Sequence, residues 1–160
     1  MKKEDIYNIL KSKNIEFKAV NHEPAYTVED IISFNLTDPE WGAKNLFLRD
    51  DKKRNYYLLV APEEKTINIK EFQEKAGTRR LSFGSEDDLK AKLDLYRGAV
   101  TPFGILNNEE KDVKVFIDSF YKDEHMWIHP CENDASVFIK TDDVISLIKE
   151  HGNAVEFIDL

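Results

Sequence analysis

Apolar and polar positions follow two different periods along this chain. Near the N-terminus, Ile6, Ile9 and Leu10 recur at helical spacing and share one face, which predicts a helix over about residues 3–13. The next segment, IEFKAV, switches to period two, with Ile15, Phe17 and Ala19 on one side of a strand. Thr27, followed three residues later by Asp30, resembles a capping box and opens a short helix toward Phe34. Two aromatic-rich runs, NLFLRD and NYYLLVAP, flank the charged turn DDKKR, which is a hairpin signal. NIKEFQEKAG reads as a helix with Asn68 near its start and Gly77 as its stop. RRLSF is a short strand, and Ser85 caps the helix EDDLKAKL, whose first-turn acids suit the positive end of the macrodipole. VKVFID, MWIHP and ASVFIK are three further strands. Thr141 then opens the helix DDVISLIKEH, which stops at Gly152, and AVEFIDL closes the chain as a strand. The order is mixed rather than a βαβ repeat. It predicts one α/β (α+β) domain over residues 1–160, with about seven strands and four or five helices.

One stretch fits neither period. LYRGAVTPFGILNN, residues 95–108, carries Gly98, Pro102 and Gly104, too close together for a regular strand or helix. Yet Val100, Phe103 and Ile105 are residues that a solvated loop has little use for. The pattern predicts an irregular segment buried on one side.

Composition narrows the class. The 160 residues suffice for a sizeable core, and the balance of 41% hydrophobic and 34% charged residues is that of a globular domain. No apolar run approaches the ~20 residues that span a bilayer, and the N-terminal MKKEDIYNILKSKN is broken by acids, so it reads as an amphipathic helix and not a signal peptide. A single cysteine, Cys131, excludes an internal disulfide and points to a reducing, cytoplasmic setting. The net charge of −8 argues against nonspecific coating of nucleic acid. Basic clusters at Lys52, Lys53, Arg54 and at Arg79, Arg80 read first as solvated turns.

The candidate chemistry is sparse. Neither a Walker loop nor a Gly-x-Gly-x-x-Gly turn occurs. HMWIHPC brings His125, His129 and Cys131 close in sequence, on one face if the strand runs through, but no second Cys/His pair with ligand spacing accompanies them. Neither a metal nor another cofactor is expected. A lone cysteine is most often a small buried hydrophobe. Lys44 enters an apolar strand, a costly position unless its ammonium reaches water or an anion. His129 ends a strand ahead of Pro130, where it could wall a pocket.

Three of these pieces, KNLFLRD (44–50), GAVTPFGILNN (98–108) and HPCENDASVFI (129–139), occur in an order and spacing that resemble the YbaK/ProX group. These are freestanding relatives of the editing domain of bacterial prolyl-tRNA synthetase, and the chain is most similar to the ProX (PrdX-like) branch over nearly its whole length. The resemblance implies a mixed, strongly curved sheet flanked by helices. It also implies hydrolysis of alanine from mischarged tRNA for proline, with the tRNA acceptor end as partner and prolyl-tRNA synthetase as a possible second one. It places Lys44 against the terminal-adenosine end of the substrate, with Asn45 beside it. It lays the loop from Gly98 to Phe103 (Ala99, Val100, Thr101 and Pro102 included) over the aminoacyl ester, and His129 and Asn133 along the amino-acid pocket. Cys131, Glu132 and Ser136 fill positions where the family varies or prefers threonine, which bears on pocket specificity.

On this reading the ester is already activated, and the protein's task is to place a water and stabilise the carbonyl oxygen as it gains charge. Loop amides near Gly98 would do the second. Lys44 would act as a point charge and Asn45 would hold the aminoacyl group. The neighbouring ribose hydroxyl would orient the water, and His129 would be a wall. Val100, Phe103 and Ile105 would stiffen a pocket that must sort amino acids by size. A deacylase for cysteine or another small amino acid, and a silent aminoacyl-tRNA or amino-acid binding module, are the alternatives. Lys52, Lys53, Arg54, Arg79 and Arg80 are the candidates for contact with the tRNA body.

Overall fold

The computed structural model describes residues 1–24 and 36–160. The helix expected from Thr27 toward Phe34 lies outside them. The helices are α1 (Lys3–Ser12), α2 (Ile69–Ala76), α3 (Glu86–Leu93) and α4 (Thr141–His151). The strands are β1 (Phe17–Asn21), β2 (Ala43–Asp50), β3 (Tyr56–Pro62), β4 (Leu81–Phe83), β5 (Val113–Asp118), β6 (His125–Ile128), β7 (Ala135–Lys140) and β8 (Val155–Ile158). Among the described residues no helix is long and apolar enough to cross a membrane.

The mixed α/β class holds, with eight strands among the described residues rather than about seven, divided between two sheets. A five-stranded sheet runs β4-β2-β3-β5-β8 and a three-stranded antiparallel sheet runs β1-β7-β6. The hairpin β2–β3 is antiparallel, as its turn chemistry predicts, while β3, β5 and β8 are parallel neighbours. Among the described residues the two sheets meet at one isolated bridge, Gly42 to Trp127. A single pairing does not continue the ladder, so the sheet splits where one curved surface was expected.

Side-chain alternation explains the layers. In β2, Phe47 faces the larger core, together with Leu58 and Val60 of β3 and Val115 and Ile117 of β5. Leu48 faces the opposite way, toward Leu59, Phe72, Phe116 and Ile158 under α2. The larger core also takes Ile6 and Leu10 of α1, Leu89 and Leu93 of α3, Val144 and Leu147 of α4, and the inner face of the small sheet through Val137 and Ile139. The helix ends follow the expected caps. Asn68 accepts from the Glu71 amide, Ser85 forms a capping box with Asp88, and Gly77 and Gly152 end their helices with positive φ.

The irregular segment is buried, and part of it is regular after all. Pro102–Asn107 forms a 3-10 helix, with Pro102 opening its first turn. Gly104 sits there because a Cβ would meet Leu95 Cδ1 at 2.5 Å. Two asparagines peg the segment to its surroundings. Asn107 Nδ2 donates to Leu93 O at 2.9 Å. Asn108, 1% exposed, donates to Lys92 O and Asp112 Oδ1 and accepts at Oδ1 from Val113 N–H and Asn153 Nδ2–H.

Replacing Asn108 by alanine strands several buried groups at once, so Asn108→Ala is expected to cost at least about 2 kcal/mol. The cap variant Asn68→Ala, on an exposed helix end, should cost about 1 kcal/mol. Urea denaturation of both variants checks the order; a smaller loss for Asn108→Ala would count against the peg.

Candidate active site

The three motifs converge where the two sheets meet. β2 begins at Ala43, next to the bridge between Gly42 and Trp127, and β6 ends just beyond Trp127, one residue before His129. The loop is joined to the His129 segment by Tyr96. Its hydroxyl donates to Asn133 Oδ1 at 3.2 Å and accepts from the Asn133 amide at 3.0 Å. Tyr121 ties the junction from below, donating its hydroxyl to Gly42 O at 2.7 Å.

Lys44 and Asn45 are adjacent on β2 and so leave it on opposite faces. Asn45 shares its face with Phe47, on the side of the larger core to which Phe103 and Ile105 also belong. Its Oδ1 is buried with no hydrogen-bond partner among the described residues. Lys44 shares its face with Leu46. Its ammonium donates to the Lys65 carbonyl and forms no ion pair among the described residues. Burial pulls its pKa below the usual lysine value, as expected of a half-buried cation without a carboxylate partner.

In the loop, Gly98 has φ 95°, a conformation that a side chain resists. Ala99 N–H is spent on Tyr96 O at 3.0 Å. The amides of Gly98, Val100 and Thr101 have no hydrogen-bond partner among the described residues. Thr101 is fully buried and its Oγ1 is likewise unpartnered there. Phe103 and Ile105 are buried and Val100 is half-buried, so the apolar side chains anchor the segment whose amides stay unpaired. Buried polar groups are normally satisfied. Asn45 Oδ1 and Thr101 Oγ1 are two exceptions, one in each of two motifs.

His129 Nδ1 lies 2.9 Å from Ala135 O, which assigns that nitrogen the proton and leaves Nε2 as an acceptor. Burial lowers its pKa, and the nearby His22 adds to the effect. The expectation that His125, His129 and Cys131 share a strand face fails at its last member. The strand stops at Ile128, Cys131 takes φ 68°, and its thiol turns into the core, where burial pushes its pKa up to about 12. His125 stacks on Phe138 instead, at 4.8 Å.

Two residues at the junction have no sequence motif. His22 Nε2 is 2.8 Å from Ser136 Oγ, its Nδ1 is 2.7 Å from Glu23 O, and its ring lies 6.1 Å from that of His129. The one available signal was period two, which continues Lys18 and Val20 to His22. Glu63, beside Gly42, has a carboxyl that burial and Glu64 push up to about 7. The basic clusters lie elsewhere: the Lys52–Arg54 turn closes the far end of the hairpin, about 20 Å along β2 from Lys44. Arg79 is held by Asp51 through Nε at 2.6 Å and a second nitrogen at 2.9 Å.

Comparison with known proteins is specific. The family model described as the aminoacyl-tRNA editing domain matches residues 22–147. The prolyl-tRNA editing protein ProX of Acetoanaerobium sticklandii is 38% identical over 147 residues, covering 91% of this chain and 90% of that protein. The prolyl-tRNA synthetase associated domain-containing protein 1 of Mus musculus is 28% identical over 144 residues, covering 87% of this chain and 85% of that one. A solved structure described provisionally as a trans-editing enzyme for prolyl tRNA synthetase superposes with a TM-score of 0.76 at 13% identity, covering 99% of this chain and 95% of that one, a likeness of fold.

The lowered His129 pKa carries a sign. An unfolded histidine takes its proton near 6.5 and the folded one only below that. The contribution to stability is therefore full above the unfolded value and is lost as pH falls through the folded one. A proton NMR titration should place the His129 midpoint below 6.5, and His129→Asn should remove part of the acid-side slope of stability. A midpoint at or above the ordinary value would contradict the assignment.

Proposed function

The chain belongs to the aminoacyl-tRNA editing domain family, and on that premise we propose that it is a freestanding deacylase that clears mischarged tRNA for proline, with alanine as the amino acid removed. The observation that carries this reading is the set of unpaired polar groups in the loop and at the start of β2. The amides of Gly98, Val100 and Thr101 and the oxygen of Asn45 await partners, as an ester-hydrolysing site requires.

In this mechanism the ester carbonyl lies against the loop. A water oxygen bonds to the carbonyl carbon, the ester bond to the ribose oxygen breaks, and that oxygen takes a proton. The negative charge that develops on the carbonyl oxygen meets loop amides that are already oriented and need no reorganisation. Asn45 Oδ1, an acceptor, suits the ammonium of the amino acid. Lys44 supplies positive charge toward the phosphate or ribose end, which its lack of a carboxylate partner among the described residues permits. The adjacent ribose hydroxyl of the substrate orients the water, and His129, neutral at pH 7, lines the pocket with Asn133. The stiff backing of Phe103 and Ile105 favours exclusion by size, so alanine enters and proline does not.

Deacylation of alanine-, cysteine- and proline-charged tRNA for proline tests this directly. The alanyl ester should be hydrolysed fastest and the prolyl ester should be spared. Preference for the cysteinyl ester would reassign the specificity, and no hydrolysis above the buffer rate would make the protein a binding module. Gly98→Ala should lower kcat by about 10²-fold by displacing loop donors. Lys44→Ala should lower kcat/KM about tenfold or more with the fold retained by circular dichroism; an unchanged rate would leave Lys44 a snorkelling strand lysine.

A further inference from the structure

The segment between β6 and β7 is gripped from three sides. β6 has ended at Ile128, β7 starts at Ala135, and Cys131 takes φ 68°, so side contacts rather than a ladder set where residues 131–134 lie. Asn133, 5% exposed, meets the loop through the Tyr96 hydroxyl, which bonds both its amide and its side chain. The carbonyl of Asp134 accepts from His22 N–H at 2.9 Å, just past the end of β1. The third grip comes from α1. Glu132 Oε2 accepts from the Lys3 amide at 2.7 Å, and Asp134 Oδ1 accepts from Lys3 Nζ at 3.1 Å. Lys3 thus holds both chain neighbours of Asn133, although it precedes residues 22–147, the part that the family model matches.

The two Lys3 contacts are unequal. The Lys3–Asp134 ion pair is open to water, with the Asp134 side chain 42% exposed, and such pairs contribute little. The Glu132 contact uses a fixed backbone donor. Lys3 is the first residue of α1, so its amide has no partner within the helix. A carboxylate there meets an orphan donor and the positive end of the helix dipole together. The helix is a firm support for it: Ile6 and Leu10 lie in the larger core, and Tyr7 stacks on Phe17 of β1 at 5.7 Å.

We propose that Glu132 is a positioning residue of the editing site. Its carboxylate, seated on the Lys3 amide, fixes Asn133, and Asn133 through Tyr96 fixes how far this segment stands from the loop. That spacing is one dimension of the amino-acid pocket, so Glu132 contributes to the exclusion of larger amino acids without touching the substrate. This role rests on the deacylase reading, with Asn133 in the pocket, and adds α1 to the elements that set the pocket's size.

Substitutions at Lys3 separate its two contacts. Lys3→Ala removes the ammonium alone. Lys3→Pro removes the amide donor as well and suits the first helical position, because Lys2 before it is already extended, with φ −102° and ψ 167°. Glu132→Ala removes the acceptor, and Glu132→Gln keeps one. Two quantities are measured. One is the ratio of kcat/KM for the alanyl over the 2-aminobutyryl ester of tRNA for proline, which differ by one methylene. The other is the NMR amide exchange rate of Asn133 relative to that of Val115 in the five-stranded sheet. Glu132→Ala and Lys3→Pro should each lower the ratio about 3- to 10-fold and speed the relative exchange of Asn133 by a similar factor. Lys3→Ala and Glu132→Gln should stay within about twofold of wild type. Leu81→Val, a truncation in the smaller core at the far end of β2, lowers stability and should move neither quantity. An unchanged ratio in Glu132→Ala would overturn the role. So would a fall in the ratio without faster exchange at Asn133, an equal fall in Leu81→Val, or Lys3→Ala matching Lys3→Pro. If wild type hydrolyses neither ester, the deacylase reading fails, and the exchange of Asn133 alone decides whether Glu132 positions the segment. If hydrolysis is normal and the variants keep the wild-type ratio, the positioning role fails alone.

Discussion

An irregular segment can be buried only if its backbone polar groups find partners, and the structure is arranged around that requirement at residues 95–108. Asn107 and Asn108 replace the missing ladder: one caps the carbonyl of Leu93, the other joins Lys92, Asp112, Val113 and Asn153. Every polar atom of the Asn108 amide is used, so the end of the segment is fixed. With that end held and Gly104 close against Leu95, the preceding amides at Gly98, Val100 and Thr101 have no partner among the described residues. An amide orphaned away from water costs of the order of 1–3 kcal/mol, and the core under Phe103 and Ile105 holds the backbone of this segment in place.

The same separation of roles governs the charges. Cations with structural work are matched: Lys92 joins Asp112 at 2.5 Å, Arg49 joins Asp88 at 2.8 Å, and Lys65 joins Asp118 at 2.8 Å. Lys44, half-buried beside the junction, has a backbone carbonyl as its partner and no carboxylate among the described residues.

Much of this was legible in the residues. Period two and period 3.6 located the strands and helices, because burial on one side imposes those periods whatever the partner is. Asn68, Ser85, Gly77 and Gly152 announced helix ends, since caps are local chemistry. The order and spacing of the three motifs pointed to the family that the comparisons show. The paired glycines and proline with Val100, Phe103 and Ile105 announced a loop buried on one side.

What the chain order could not decide was set by contacts between distant segments. One bridge at Gly42 and Trp127, rather than a continued ladder, divided the strands into two sheets. Turning at Cys131 took its thiol from the strand face into the core, because the path after Pro130 depends on what the core has room for. His22 carries no motif, and only the pairing of β1 with β7 brings it to Ser136 and His129. Tyr96 meets Asn133 only through the packing of segments 37 residues apart. Local sequence dictates what each segment can be, and the packing of segments far apart in the chain decides which of its polar groups are left for a substrate.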